Sequence, residues 1–222
     1  MDCKGECKYG MIELNRTMSG MPNHPGSSTA INNFGKIIFH GKCVIHTFNK
    51  INVAYGAILE FGKDTKIMCG VNITAYKRIH IGNYSWIVHR CQVMDTNFHY
   101  IADFKHHRVN RRYKPIEIGD YCWICNCSTV SGGAVIPNKT IVASNSLVNK
   151  DMSEVPEESI IGGQPAKLIS TGFRRIDCKR FERQIEKWFS KHPEADFYPL
   201  NEDVNHSICD VDGECLHYYE LG

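Results

Sequence analysis

Residues 118–152, divided every six positions, read IGDYCW, ICNCST, VSGGAV, IPNKTI, VASNSL and VNKDM. Each block opens on Ile or Val, and each complete block carries Cys, Ser, Ala or Thr at its fifth position. An amphipathic helix repeats every 3.6 residues and a half-buried strand every two, so neither produces this beat. Fixed internal periodicity marks repeat architectures. Three blocks closing one coil give a prism with three flat faces. One aliphatic side chain per face points inward onto its equivalent in the next coil, and a small residue fits each corner. The pattern predicts an all-β solenoid, a parallel β-helix whose coils bury their faces against one another.

The same rule runs backwards along the chain through FGKDTK, IMCGVN and ITAYKR from Phe61, and through IGNYSW and IVHRCQ from Ile81. Apolar–polar–apolar triplets open new turns at Leu59-Glu60-Phe61, Ile79-His80-Ile81 and Ile116-Glu117-Ile118. Before Phe61 the beat degrades, and Ile37, Ile38, Phe39, Val44, Ile45, Ile51 and Val53 predict one or two irregular starting coils. The organisation expected is an irregular segment over 1–34, a β-helix catalytic domain over 35–153 with a loop at 95–115, and an extension over 154–222. In that extension Phe181, Ile185, Trp188 and Phe189 recur at helical spacing, which predicts an amphipathic helix over about 174–191 ended by Pro193. Such a helix is expected to cover the open end of the solenoid, where strand edges would otherwise be unpaired.

One stretch interrupts the count. Ile81, Ile87 and Val93 keep the beat, but the next two slots fall on His99 and Lys105, and the register returns only at Ile118. The interruption, VMDTNFHYI over 93–101, puts a histidine on the first segment to leave the wall.

Composition sets the limits. A net charge of +2 on 222 residues gives no reason to expect a polyanion partner such as nucleic acid. No apolar run is long enough for a membrane span. The opening MDCKGECKYG lacks the apolar core of a signal peptide, and a cytoplasmic location is expected. The eleven cysteines are odd in number and read mainly as thiols. Cys91 and Cys122 occupy the small-residue slot, and the cluster Cys122, Cys125, Cys127 lacks a second pair of ligands at metal-binding spacing. Cys3 with Cys7 and Cys209 with Cys215 lie outside the repeat, where pairing or metal binding stays open.

Three motifs then stand in order: DTNFH (95–99), PIEIGDYCWI (115–124), and IVASNSLVNKDM (141–152) followed by IGGQPAK (161–167). Together they resemble the hexapeptide-repeat acyltransferases, in particular sugar and capsular-polysaccharide O-acetyltransferases of the maltose and galactoside type. The resemblance covers roughly 55–170. It implies a homotrimer of left-handed parallel β-helices with acetyl-CoA in the groove between subunits, no required metal, and a sugar, glycan or nucleotide-sugar acceptor. By position it implies His99 as the general base, with Asn126, Ser144, Asn149, Lys150 and Lys167 along the cofactor. The acidic acceptor residue of the maltose and galactoside enzymes falls near Tyr76, which points to a different acceptor. Cys125 stands where the family has glycine, and Ala143-Ser144-Asn145 where it has Gly-Ala-Gly, so both add bulk along the cofactor path.

The chemistry asks little of the protein. A thioester is already electrophilic; what is missing at neutral pH is a deprotonated hydroxyl, and histidine is the side chain suited to take that proton. Asp95 either fixes the imidazole tautomer or caps the turn that leaves the coil. Asn97 either contacts acceptor or turns the chain, and Trp123 either walls the acceptor site or packs on the next coil. The basic segment 102–114, with His106, His107, Arg108 and Arg112, reads as a lid over the site. Two other functions fit the fold: a zinc hydratase of the γ-carbonic anhydrase kind using His80, His89 and His99, and a non-catalytic scaffold.

Overall fold

The computed structural model describes residues 2–3, 10–17 and 28–211. The first of its two compact units, Met1–Phe173, is a parallel β-solenoid of about six turns, matching the left-handed β-helix of acyltransferase folds. Its first face stacks Asp2–Cys3, Lys36–Phe39, Ile58–Phe61, Arg78–Ile81, Ile116–Ile118 and Val135–Ile136. The second runs Ile12–Arg16, Cys43–His46, Thr65–Ile67, Trp86–Ile87, Trp123–Ile124, Ile141–Val142 and Ser159–Gly162, and the third runs Ala30–Asn33, Lys50–Val53, Asn72–Ala75, Gln92–Met94, Thr129–Ser131 and Leu147–Val148. The excursion does not disturb the stack, since Ile81 pairs directly with Ile118.

The six-residue beat is the core. Phe61, Ile67, Ile73, Ile81, Ile87, Val93, Ile118, Ile124, Val130, Ile136, Val142 and Val148 are all at most 1% exposed. The fifth-position residues Ser85, Cys91, Cys122 and Ser128 are buried beside them. Their small size is half of the explanation, and their hydrogen bonds are the rest. Ser85 Oγ donates to the Gly119 carbonyl at 2.7 Å, Cys122 Sγ to Pro137 at 3.1 Å, Cys91 Sγ to Cys125 at 3.1 Å and Ser128 Oγ to Ala143 at 3.0 Å. Each ties a corner to the coil above it. At the fourth position the backbone is left-handed: φ is +54° at Asp64, +58° at Tyr84 and Arg90, +56° at Tyr121, +61° at Cys127 and +59° at Asn145. That conformation costs an L-residue about 1–2 kcal/mol, least for Asn, and the flanking buried positions hold it in place.

Three expectations change. The segment 36–53 is a regular coil, with Phe39, Ile45 and Ile51 buried at six-residue spacing. The beat is hidden there because Phe61 follows Ile51 by ten positions, whereas Ile81 follows Ile73 by eight at the same corner one coil on; the Ala54–Ala57 corner makes the extra turn, with Gly56 at φ +74°. Within 1–34, Ile12–Arg16 and Ala30–Asn33 pair with Cys43–His46 and Lys50–Val53 as an edge coil, so β-structure begins before 35. At the other end Ser159–Gly162 extends the second face, and Lys167–Thr171 folds back antiparallel upon it. That strand covers the last edge of this face.

The second unit, Arg174–Gly222, holds the helix Lys179–Lys191, which begins five residues later than the expected 174. Its Phe181 is 1% exposed and packs within its own unit against Cys178 and Ile208, with Ile185, Tyr198 and Val204 around it. Trp188 stacks on His192 at 4.1 Å. No helix of the described residues is long and apolar enough to cross a membrane.

Cys43, Cys69, Cys91, Cys122 and Cys127 are free thiols. Cys7 and Cys215 lie outside the described residues, and with them the pairing or metal binding that the sequence left open for Cys3 with Cys7 and Cys209 with Cys215. Burial pushes the Cys91 thiol up to about 11 and the Cys122 thiol up to about 12, whereas Cys127 is exposed. A thiol reagent at pH 7.5 should therefore modify Cys127 while Cys91 and Cys122 react only on unfolding, as peptide mapping after timed alkylation will read.

Candidate functional site

The site is built where the chain leaves the wall. Gln92–Met94 completes a rung of the third face, and Asp95 follows it with no exposed surface. One carboxylate oxygen accepts the N–H of Tyr76 at 2.7 Å, and the other accepts those of Lys77 at 2.6 Å and Arg78 at 2.9 Å. Burial raises the carboxyl above its ordinary value, and these donors pull the other way without cancelling the rise. Asp95 therefore caps the corner of the preceding coil. Of the two roles the sequence left open, the geometry shows the cap: three backbone donors hold the carboxylate, and no hydrogen bond joins it to the His99 ring among the described residues.

The excursion is closed on the same residue. Lys114 N–H donates to the Asp95 carbonyl at 2.9 Å, and Thr96 bridges Tyr113. Gly132, on the coil above, lies so near this neck that a Cβ there would stand 2.7 Å from the Asp95 oxygen, so the approach requires glycine. Inside the neck the Asn97 amide nitrogen donates to the carbonyls of His99 at 2.7 Å and Arg112 at 3.1 Å. Asn97 N–H also donates to Arg112 at 3.1 Å, and Phe98 N–H to Thr96 Oγ1 at 3.0 Å. Phe98 turns the chain in left-handed backbone at φ +64°. Asn97 is thus a clamp within the loop, the chain-turning alternative of the two that the sequence left open.

His99 emerges from this clamp exposed, and its imidazole makes no hydrogen bond among the described residues. Beyond it, Ile101–Asp103 and Arg108–Asn110 form an antiparallel hairpin. Asp103 takes His106 at 2.8 Å and Arg108 at 3.2 Å, so two side chains of the expected lid are paired within the hairpin. Arg112 lies over Tyr76 at 5.9 Å and Tyr100 at 5.2 Å, while Tyr76 meets Phe98 edge-on at 5.6 Å. Tyr76 therefore seats the loop.

Below Phe98 the outer surface of the third face opens into a cleft of about 420 Å³, lined among others by Asn32, Lys50, Asn52, Asn72, Thr74 and Phe98. The volume is that of a small-molecule site. Register brings these side chains together: Asn32 opposes Asn52, Lys50 opposes Asn72, and Asn52 opposes Thr74. None of the lining positions but the neighbourhood of Phe98 was foreseen from sequence. A larger cleft of about 470 Å³ lies by Pro137, Asn138, Glu154 and Glu157; no histidine lines either cleft, and only the third-face one is bounded by the excursion, through Phe98.

The positions expected along a cofactor sit on the last coils. Ser144 Oγ donates to Asn126 Oδ1 at 3.3 Å, a pair stacked on the corner between second and third faces. Asn149 and Lys150 follow the last rung of the third face, and Lys167 begins the antiparallel strand. All five side chains are exposed. The bulk expected of Cys125 is turned inward, where the residue is 8% exposed, and Asn145 fills a left-handed corner that would otherwise suit glycine. Trp123 stands on the second face in register with Trp86, so within one chain it does not wall the third-face cleft. His80 is on the first face with its Nδ1 3.1 Å from Glu117, His89 is in the corner after Trp86–Ile87, and His99 is on the excursion. Among the described residues no three metal-ligating side chains converge.

No family model matches the sequence, nor does any curated protein. Solved structures do match. The polySia-specific acetyltransferase NeuO is 21% identical with a TM-score of 0.54, over 76% of this chain and 79% of that one. A variant of AntD, an N-acyltransferase from Bacillus cereus, in complex with dTDP and coenzyme A, is 19% identical with a TM-score of 0.52, over 74% and 85%. Another AntD variant, with dTDP-4-amino-4,6-dideoxyglucose and coenzyme A, is 18% identical with a TM-score of 0.51, over 73% and 84%. The likeness is one of fold. It extends through the solenoid of this chain, and the chemistry has to be argued from the side chains.

Proposed function

We propose that the protein is an acetyltransferase that moves the acetyl group of acetyl-CoA to a hydroxyl of a sugar or glycan, with His99 as the general base. The observation that carries this reading is His99 itself: an exposed imidazole with no hydrogen-bond partner among the described residues, held by a clamped loop one residue beyond Phe98, which lines the third-face cleft. A histidine with a structural task would be expected to spend a ring nitrogen on it, as His46 does on the Arg16 carbonyl at 2.8 Å. The neighbours in fold support the class, one being an acetyltransferase and the other an N-acyltransferase crystallised with coenzyme A.

In this reading the acceptor hydroxyl lies between His99 and the thioester. The imidazole takes the hydroxyl proton as the oxygen attacks the thioester carbon. The tetrahedral adduct collapses by breaking the C–S bond, and the imidazolium returns the proton to the departing sulfur. An acetyl ester and free CoA thiol result, with no covalent enzyme intermediate. Asn126 and Ser144 would face the pantetheine arm, and Lys150 and Lys167, both exposed, would meet phosphates as point charges. The deciding experiment is the release of free thiol from acetyl-CoA over a panel of acceptors, compared with the His99→Ala protein. Undiminished release in that variant would remove His99 from the chemistry.

The reading also includes a homotrimer, as expected from the sequence. Support comes from the outward row of the second face, where Trp86, Trp123, Ile141 and Ile160 stand in register on successive coils. An apolar row on the outside of a β-sheet is suited to a subunit contact. Trp123→Glu should accordingly dissociate the assembly; sedimentation velocity showing unchanged mass for that variant would rule this face out.

A further inference from the structure

We infer that the third-face cleft selects a hydroxylated acceptor carrying a negative group, such as a uronate or another acidic sugar, with Lys50 meeting the anion and Asn32, Asn52 and Asn72 meeting its hydroxyls. The inference rests on the acyl-transfer reading above for what happens to the acceptor, but its own argument is the unspent hydrogen-bonding capacity of Lys50 and three asparagines that line the cleft beside Ala30, Ile51 and Phe98.

Asparagine is used in two ways in this solenoid. At corners it is consumed by the fold. Asn49 Nδ2 donates to the His46 carbonyl at 2.8 Å and its Oδ1 accepts Val71 N–H at 2.7 Å, while Asn138 Oδ1 accepts Asp120 N–H at 2.9 Å. On the outer rows of the third face it is not. The side chains of Asn32, Asn52 and Asn72 make no hydrogen bond among the described residues, and all three line the same cleft. Each offers two donors and one acceptor oxygen, the complement needed by a vicinal diol. Rungs lie about 4.8 Å apart and alternate residues on one strand about 6.6 Å apart, so the amides form a grid on the scale of a sugar ring.

The charge in the grid has one sign. Lys50 opposes Asn72 across one rung and Ala30 across the other; among the described residues it forms no ion pair and no carboxylate lines the cleft. Arg112 adds a second cation over Tyr76, whose ring touches Phe98 at the cleft wall. An amino sugar would enter as a cation against these charges with nothing to neutralise it. A carboxylate would form a charge-assisted hydrogen bond to Lys50, a contact that typically discriminates by ten- to a hundred-fold. This favours ester over amide formation at this site.

The test compares three methyl glycosides that differ in one group: a hexuronic acid, the corresponding hexose, and the 2-amino-2-deoxyhexose. For each, kcat/KM is taken from thiol release at saturating acetyl-CoA, and the dissociation constant is taken separately by calorimetry without acetyl-CoA. The uronate should exceed the hexose by about tenfold or more in both, with the amine weakest, and Lys50→Gln should bring the uronate-to-hexose ratio to about 1. A preference for the amine or the hexose, or an unchanged ratio in Lys50→Gln, overturns the inference. Thiol release that depends on His99 but shows no charge preference leaves the acyl-transfer reading standing and removes this one. Uronate binding that depends on Lys50, with no thiol release from any acceptor, does the reverse.

Discussion

His99→Ala should lower acetyl transfer to a productive acceptor by about a hundred- to ten-thousand-fold, the usual contribution of a positioned general base. It should do so without moving the thermal midpoint. The imidazole is exposed and makes no hydrogen bond among the described residues, and the Asn97 amide and Phe98 N–H hold its loop without touching the ring. Exposed substitutions of that kind stay within about 0.5 kcal/mol. Activity and stability are to be measured on the same preparation, together with acetyl-CoA binding, which should persist. A variant that unfolds earlier would show that the imidazole carries structure, and the kinetic loss would then say nothing about chemistry.

Asp95→Ala should show the opposite pattern. The substitution leaves the N–H groups of Tyr76, Lys77 and Arg78 facing a cavity where a buried carboxylate had satisfied all three. An unmet buried donor costs about 1–3 kcal/mol, so the loss is on the order of 3 kcal/mol or more. For a chain of this size that corresponds to a fall in midpoint of roughly 6–12 °C. Activity should fall as a consequence, since the excursion is tied back to the same residue through Lys114. Were Asp95 instead a partner of the imidazole, Asp95→Asn would cut kcat at an unchanged midpoint. Calorimetry beside steady-state kinetics separates the two.

The two residues also mark how far the sequence could be read. The inward positions were legible because a solenoid core admits one kind of side chain at one spacing. Every aliphatic slot from Phe61 to Val148 is buried as that spacing requires. The coil over 36–53 was obscured by the corner between third and first faces, which varies in length from coil to coil. The edge coil was obscured for another reason: Ile12 and Leu14 remain partly exposed, so the apolar demand is relaxed. His99 could be found as a break in a strong rhythm. The role of Asp95 could not, since a buried cap and an orienting carboxylate look alike in sequence. Nor could Asn32, Asn52 and Asn72, which read as ordinary solvent-facing rungs until the register sets them side by side.

The excursion between Val93 and Ile116 returns the chain to the register it left, with Ile79, His80 and Ile81 paired to Ile116, Glu117 and Ile118 as though nothing intervened. Lengthening a two-residue corner about tenfold costs only about 2 kcal/mol in loop-closure entropy. The wall and the loop are therefore nearly independent parts joined at one neck, Asp95 with Lys114 over Gly132. A different insert grafted at that neck would inherit the same rigid pedestal. In such a protein the segment that carries the histidine can be exchanged as a single cassette, while the coils that keep the chain folded and line the cleft remain untouched.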